Sequence, residues 1–300
     1  MRFKRYMSKE NKEKEVKKGD VMRQKRVAAI HDISCFGKCS LTVALPIISA
    51  CGTETAVIPT AVLSTHTGGF KNFTFRDLTD DLLAIARHWK SEGITVDAVY
   101  TGYLGSKAQV EIVCKIIEEI QNEATKVIVD PVMADNGRLY NGFDSDFPLQ
   151  MKKLCMKADI ITPNITEASL LLGIPFEQSP HSREYIESIL YKLRELTGKS
   201  VVLTGVCPDE KSIGAAVFDG DNIDYCFAER VPSSYHGTGD IFASTLTGVL
   251  MNGKTLYESA GVAVEFTRSC IERTFKDHKE MRYGVNFEAE LPNLMKLLNR

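Results

Sequence analysis

From residue 27 onward the chain alternates short apolar runs with longer amphipathic stretches, and this alternation restricts the fold more than any other feature. "RVAAIHD" (26–32), "DAVYTG" (97–102), "KVIVD" (126–130), "ADIITPN" (158–164) and "KSVVLTG" (199–205) read as buried strands; 53–64 reads as one or two more around Pro59. Helical patterns lie between them at 40–52 (closed by Gly52), 77–92, 107–121 and 181–197, with short helical turns after 164. "IGAAVFDG" and "NIDYCFAER" form a hairpin through "DGDN", and helices near 239–252, 255–274 and 286–298 finish the chain. Strands separated by helices mean βαβ units and a mostly parallel sheet with helices on both faces, an α/β fold of three layers. No repeat, low-complexity block or linker interrupts residues 27–300, which read as one domain.

Charge is unevenly spread. Residues 1–26 hold eleven Lys or Arg against four Asp or Glu, so +7, while the remaining 274 residues carry −9. The basic segment has almost no apolar residues to bury and reads as a disordered tail, or as sequence upstream of a start at Met22. A nucleic-acid arm is the competing reading; no basic or aromatic patch downstream extends such a surface, and the acidic body argues against a polyanion partner. The eight cysteines are scattered without a CxxC pair, and no signal peptide is recognisable, so reduced thiols in a cytoplasmic protein are expected. Cys35 and Cys39 lack the second pair that a metal site would need. No apolar run is long enough to span a bilayer.

In a sheet of this kind ligands gather at the carboxyl ends of the strands. Polar or glycine-rich sequence stands there repeatedly: "HD", "STHTGG", "TGYLGS", "DPVMADNG", "TPNITEA" and "TGVCPD". Beyond them lies "HGTGDIFAS" (236–244), small residues leading into a helix. If a helix starts here, the N–H groups of Thr238, Gly239 and Asp240 have no helix carbonyl to bind, and with the dipole they suit phosphate oxygens. Asp240 is then either a general base beside that phosphate, deprotonating an attacking alcohol, or an ordinary N-terminal cap. Asp130 either reaches a metal through water, orients a hydroxyl or opens a turn before Pro131. Asn164 and Glu167 either form a capping box or reach Mg²⁺ through water. Two nucleotide motifs fail: "TGKS" (197–200) has Leu193 where a P-loop needs glycine and runs into a strand, and "GTGDIF" lacks the third glycine of a dinucleotide fingerprint.

"GTGD", "DPVM", "TPNxxEA" and "TGYLGS", in this chain from about 27 to 275, resemble the ribokinase-like superfamily of ATP-dependent small-molecule kinases, and within it the vitamin kinases. "VYTGYLGS" (99–106) and "STHTGGF" (64–70) are similar to pyridoxal kinases in particular. The resemblance implies a ribokinase-like fold, ATP as co-substrate, Mg²⁺, a vitamin B6 substrate and a homodimer. It implies Asp240 as catalytic base and Gly237, Thr238 and Gly239 as anion hole. Thr204 is placed beside ATP, and Asp130, Thr162, Asn164 and Glu167 around phosphate and Mg²⁺, with Asp130 and Glu167 toward the metal. His66, Thr67 and Tyr103 are expected at the pyridine ring. The segment 53–75, with Gly68 and Gly69, reads as a lid, and His236 lies next to the nucleotide or in solvent.

The match departs from the pyridoxal kinase pattern at the first strand end. "IHDISCFGKCS" has Asp32 and Ser34 in a "DxS" element closer to the hydroxymethylpyrimidine kinases of thiamine biosynthesis, which typically carry "GTGC" instead of "GTGD". Phe70 stands near the position of a family tyrosine. Asp32 is thus a substrate-site candidate suited to a protonated ring nitrogen or an amine, and hydroxymethylpyrimidine is the alternative substrate.

Overall fold

A computed structural model describes residues 23–278 and 280–299; the expected basic tail and Met22 lie outside them except for its last four residues. In chain order the elements are β1 (Arg26–Ser34), α1 (Leu41–Ala50), β2 (Glu54–Leu63), β3 (Phe75–Asp77), α2 (Thr79–Ser91), β4 (Ala98–Thr101), α3 (Lys107–Ile120), β5 (Lys126–Val129), β6 (Ala134–Asp135) and β7 (Arg138–Leu139). There follow α4 (Phe147–Cys155), β8 (Ile160–Ile161), α5 (Ile165–Leu172), α6 (Arg183–Thr197), β9 (Ser200–Val206), β10 (Ser212–Asp219), β11 (Asn222–Glu229), α7 (Thr238–Met251), α8 (Leu256–Lys276) and α9 (Leu291–Leu297).

The main sheet runs β11-β10-β9-β8-β5-β4-β1-β2-β3. Its six inner strands from β9 to β2 are mutually parallel; β10 runs antiparallel to both β9 and β11, and β3 antiparallel to β2. Side chains of a strand alternate between faces, and the core divides accordingly. Ala28, Ile30, Val99, Val127, Val129, Val201 and Leu203 pack with α2 to α6. Val27, Ala98, Tyr100, Ile128 and Val202 pack with α1, α7 and α8. The three-layer α/β/α arrangement expected of a ribokinase-like chain is present. Among the described residues no helix is long and apolar enough to cross a membrane.

Three local features differ from the reading of the sequence, while the one or two strands expected around Pro59 are a single strand, Glu54–Leu63. After it the chain returns as β3 on the sheet edge, which delays the next helix to Thr79. Helix α4 was hidden by Pro148, a residue that looks like a breaker but sits harmlessly in a first turn. "ADNGRL" builds the β6–β7 hairpin around Asn136-Gly137, a dipeptide suited to two-residue hairpin turns.

Candidate active site

The parallel strands end together, and the candidate residues follow them. Asp32 and Ser34 close β1, Tyr103 follows β4, Asp130 follows β5, Thr162 and Asn164 follow β8, and Thr204 lies in β9. The β1–β2 register shifts between His31 and Ile33, which leaves Asp32 outside the regular ladder. Its buried carboxylate accepts a hydrogen bond from Ser34 Oγ at 3.0 Å, and burial raises its pKa. Tyr103 faces the same space: burial first, then the charge of Asp32, pushes its phenol up to about 12.

Gly237 caps α7 in the left-handed region, with φ 83°. A Cβ here would lie 2.1 Å from the Lys38 carbonyl, so the turn tolerates only glycine. The Ile241 N–H reaches the Gly237 carbonyl at 3.0 Å, and the three amides ahead of it, those of Thr238, Gly239 and Asp240, have no helix partner. The cap position is taken by Gly237, and Asp240 stands in the first turn. One of its oxygens accepts the backbone N–H of Ser40 at 3.0 Å, across the cleft. Burial raises its pKa to about 7, the Ser40 N–H opposes this, and the nearby Asp32 charge adds to it. Sequence reasoning missed Ser40, because a backbone donor from a distant loop has no residue signature. Cys39, set aside from the sequence as a metal ligand, lies beside Ser40 and Asp240, its thiol pushed up by burial and then by the charges of Asp240 and Asp32.

On the other side of the cleft both readings of Asn164 and Glu167 have a basis. The capping box is formed: Asn164 Oδ1 accepts from Glu167 N, and Glu167 Oε2 from Asn164 N, each at 2.9 Å. Glu167 Oε1 also accepts Met133 N at 3.0 Å, and Asn164 Nδ2 donates to the Ala134 carbonyl at 2.9 Å. Burial nevertheless raises Glu167 to about 8 against these bonds. Asp130 is raised too, by burial and then by the Glu167 and Asp240 charges, with Thr162 opposing. Thr204 is held to the Pro163 carbonyl by its own N–H at 2.9 Å, so its backbone bridges β9 to the Asn164 turn.

The substrate-side candidates on 64–70 are placed differently from one another. Thr67 is exposed. His66 is buried, and both of its ring nitrogens are occupied within the protein: Nδ1 accepts from Gly68 N at 3.1 Å, and Nε2 lies 2.7 Å from the Arg282 carbonyl. His236 lies beside it, with ring centroids 5.4 Å apart.

A carboxylate poised near neutrality beside unpaired helix amides suits phosphoryl transfer to an alcohol, where a proton leaves the attacking oxygen as phosphate charge is neutralised. With this sheet it defines a small-molecule kinase of the ribokinase-like class. The family model for phosphomethylpyrimidine kinase matches residues 44–284, and the chain belongs to that family. A protein of Bacteroides thetaiotaomicron VPI-5482 classed as a phosphomethylpyrimidine kinase, crystallised with pyridoxal, is 38% identical with a TM-score of 0.86, over 91% of this chain and 96% of that one. Pyridoxal kinase from Lactobacillus plantarum is 33% identical with a TM-score of 0.84, over 92% and 98%. The hydroxymethylpyrimidine/phosphomethylpyrimidine kinase of Bacillus subtilis (strain 168) is 28% identical over 222 residues, 73% of this chain and 77% of that protein.

Proposed function

We propose that this chain transfers the γ-phosphoryl group of ATP to the 5′-hydroxymethyl group of pyridoxal, pyridoxine or pyridoxamine. The observation that carries the reading is Asp240, in the first turn of α7 and held by Ser40 N beside three amides that have no helix partner among the described residues. Asp240 takes the proton of the hydroxymethyl group as its oxygen attacks the γ-phosphorus; the bond to the β–γ bridging oxygen breaks and ADP leaves. The amides of Thr238, Gly239 and Asp240 stabilise charge on the transferring group, and Gly237 allows its close approach. Asp32 and Tyr103 hold the ring, Asp32 favouring a protonated nitrogen or an amine, and Thr67, exposed on 64–70, contacts it in the same reading. Thr204, Thr162 and Asn164 line the nucleotide side. The working unit is a homodimer, which size-exclusion chromatography with light scattering tests.

Mg²⁺ fits the donor set. Asp130 and Glu167 are hard oxygen donors raised by burial, and among the described residues neither forms an ion pair with a Lys or Arg. No three His, Cys, Asp or Glu side chains among the described residues converge to hold a metal alone. Asp130 would hold the ion and Glu167 would act through water, the ion keeping water and phosphate as its other ligands. When bound it neutralises phosphate charge.

The second reading is hydroxymethylpyrimidine phosphorylation, favoured by the "DxS" element and the family model. Coupled ATP turnover with pyridoxal, pyridoxine, pyridoxamine and hydroxymethylpyrimidine in parallel separates the two. Turnover of the pyrimidine well above all three pyridines refutes the first reading.

A further inference from the structure

His66 joins three segments that are far apart in sequence. Its ring lies so close over Gly37 that a Cβ there would stand 2.1 Å from Cδ2. Its backbone N–H reaches the Phe36 carbonyl at 3.2 Å. Because Nδ1 accepts the Gly68 N–H, the neutral ring carries its proton on Nε2 and donates it to the Arg282 carbonyl. Around this bond Phe36, Phe70 and Tyr283 meet edge-on or tilted, with centroids 5.8 to 6.3 Å apart, and the Arg282 guanidinium lies over Phe70 and Tyr283 at 5.7 and 5.1 Å. The loop 35–39 leads on to the catalytic machinery. Lys38 bonds Asn286 and Glu288 through its ammonium and packs its carbonyl on Gly237, and the next residue but one, Ser40, holds Asp240.

Of the expected lid 53–75, residues 54–63 belong to β2 in the main sheet and only the part after it lies outside. We propose that His66 is a positioning residue, a latch that ties the segment 64–70 over the cleft to residues 280–284 and to the loop carrying Ser40, and not a ligand of the substrate. Both ring nitrogens are used in the latch, so the ring has no polar atom left to offer a bound vitamer in this conformation. Tying the lid excludes water, which competes with the vitamer for the γ-phosphoryl group. The same tie fixes the Ser40 N–H that aims Asp240. The inference rests on the kinase reading for its kinetic consequences but not for its structural ones.

The test compares full-length wild type, His66→Ala, His66→Asn, His66→Gln and Arg282→Gly. In amide hydrogen exchange without ligands, His66→Ala releases 64–70 and 280–284 together, with exchange at least tenfold faster. Gln can reach the Arg282 carbonyl with its amide nitrogen and restores part of the protection at 280–284; Asn keeps only the Gly68 contact and does not. With ATP and the vitamer that turns over, His66→Ala and Arg282→Gly raise the ratio of ATP hydrolysed to vitamer phosphorylated at least fivefold, while vitamer KM changes less than threefold. Unchanged exchange at 280–284 in His66→Ala overturns the latch, as does a tenfold rise in KM with an unchanged hydrolysis ratio. Arg282→Gly keeps the acceptor carbonyl but strips the guanidinium from Phe70 and Tyr283 and frees the backbone that presents the carbonyl, so it loosens the same tie and provides the same readouts should His66→Ala not fold. If no vitamer turns over, the vitamin B6 reading fails, and the exchange comparison still decides the latch.

Discussion

Asp240→Asn separates the base from its scaffold. Asparagine keeps an oxygen for the Ser40 N–H, so the cleft geometry survives while the proton acceptor is lost. General-base catalysis is worth about 10²–10⁴ in rate, so kcat/KM should fall by that factor, about 3–5 kcal/mol of transition-state stabilisation. The same change should stabilise the fold. Raising a carboxyl from 3.8 to about 7 corresponds to about 4 kcal/mol against the ionised form, and partial exposure of Asp240 cuts this to about 2 kcal/mol. The sign is that of a raised acid: native stability is full below pH 3.8, where the group is protonated in both states, and falls as pH rises through 7. At pH 8 the variant should therefore melt several degrees above wild type, and at pH 4 the two should coincide. Wild-type kcat/KM should rise tenfold per pH unit below about 7 and level off above it. Coupled turnover and calorimetry across pH 4–9 read both effects; an Asn variant within threefold of wild-type turnover refutes the base, and one no more stable at pH 8 refutes the electrostatic account.

Asp32→Asn removes a charge that helps raise Asp240, so the acidic limb of the kcat/KM profile should move to lower pH, and pyridoxamine should lose more than pyridoxine. Gly237→Ala forces a Cβ against the Lys38 carbonyl at positive φ; turnover should fall at least 100-fold, about 3 kcal/mol, and an alanine enzyme of ordinary rate contradicts the anion-hole geometry. Glu167→Ala leaves the Met133 and Asn164 amides without their acceptor, a loss of about 2–6 kcal/mol in urea unfolding at about 1–3 kcal/mol per buried donor. An unchanged midpoint there would make the capping box irrelevant to stability.

The strand ends and the "GTGD" turn were legible because their chemistry is carried by residue types at short spacings: glycines where the backbone approaches an anion, a carboxylate at the next position, an Asx-Glu pair three residues apart. What resisted reading depends on contacts across long sequence separations. Ser40 and Asp240 are 200 residues apart, His66 and Arg282 216. No periodicity encodes either pair, and each involves a backbone atom that any residue supplies. The resemblance suggested a ring contact for His66 from its place in "STHTGG"; the packing of 280–284, whose sequence reads as plain loop, determines what its nitrogens meet.

These long-range contacts account for the placing of a negative charge beside an anion site. Asp240 stands next to amides that attract phosphate and near Asp32, and Asp130 feels the charges of Glu167 and Asp240; burial is the first cause of each raised pKa, and these charges add to it for Asp240 and Asp130. Ser40 N–H is the counterweight, the directed donor that keeps the Asp240 pKa near 7 instead of higher. A base that ionises near neutrality can both accept a proton from a bound alcohol and return it to water after release, whereas a carboxylate at its ordinary pKa would be too weak an acceptor. The loop that supplies Ser40 is the one that His66 holds down, so the strength of the base and the closure of the lid depend on the same five residues.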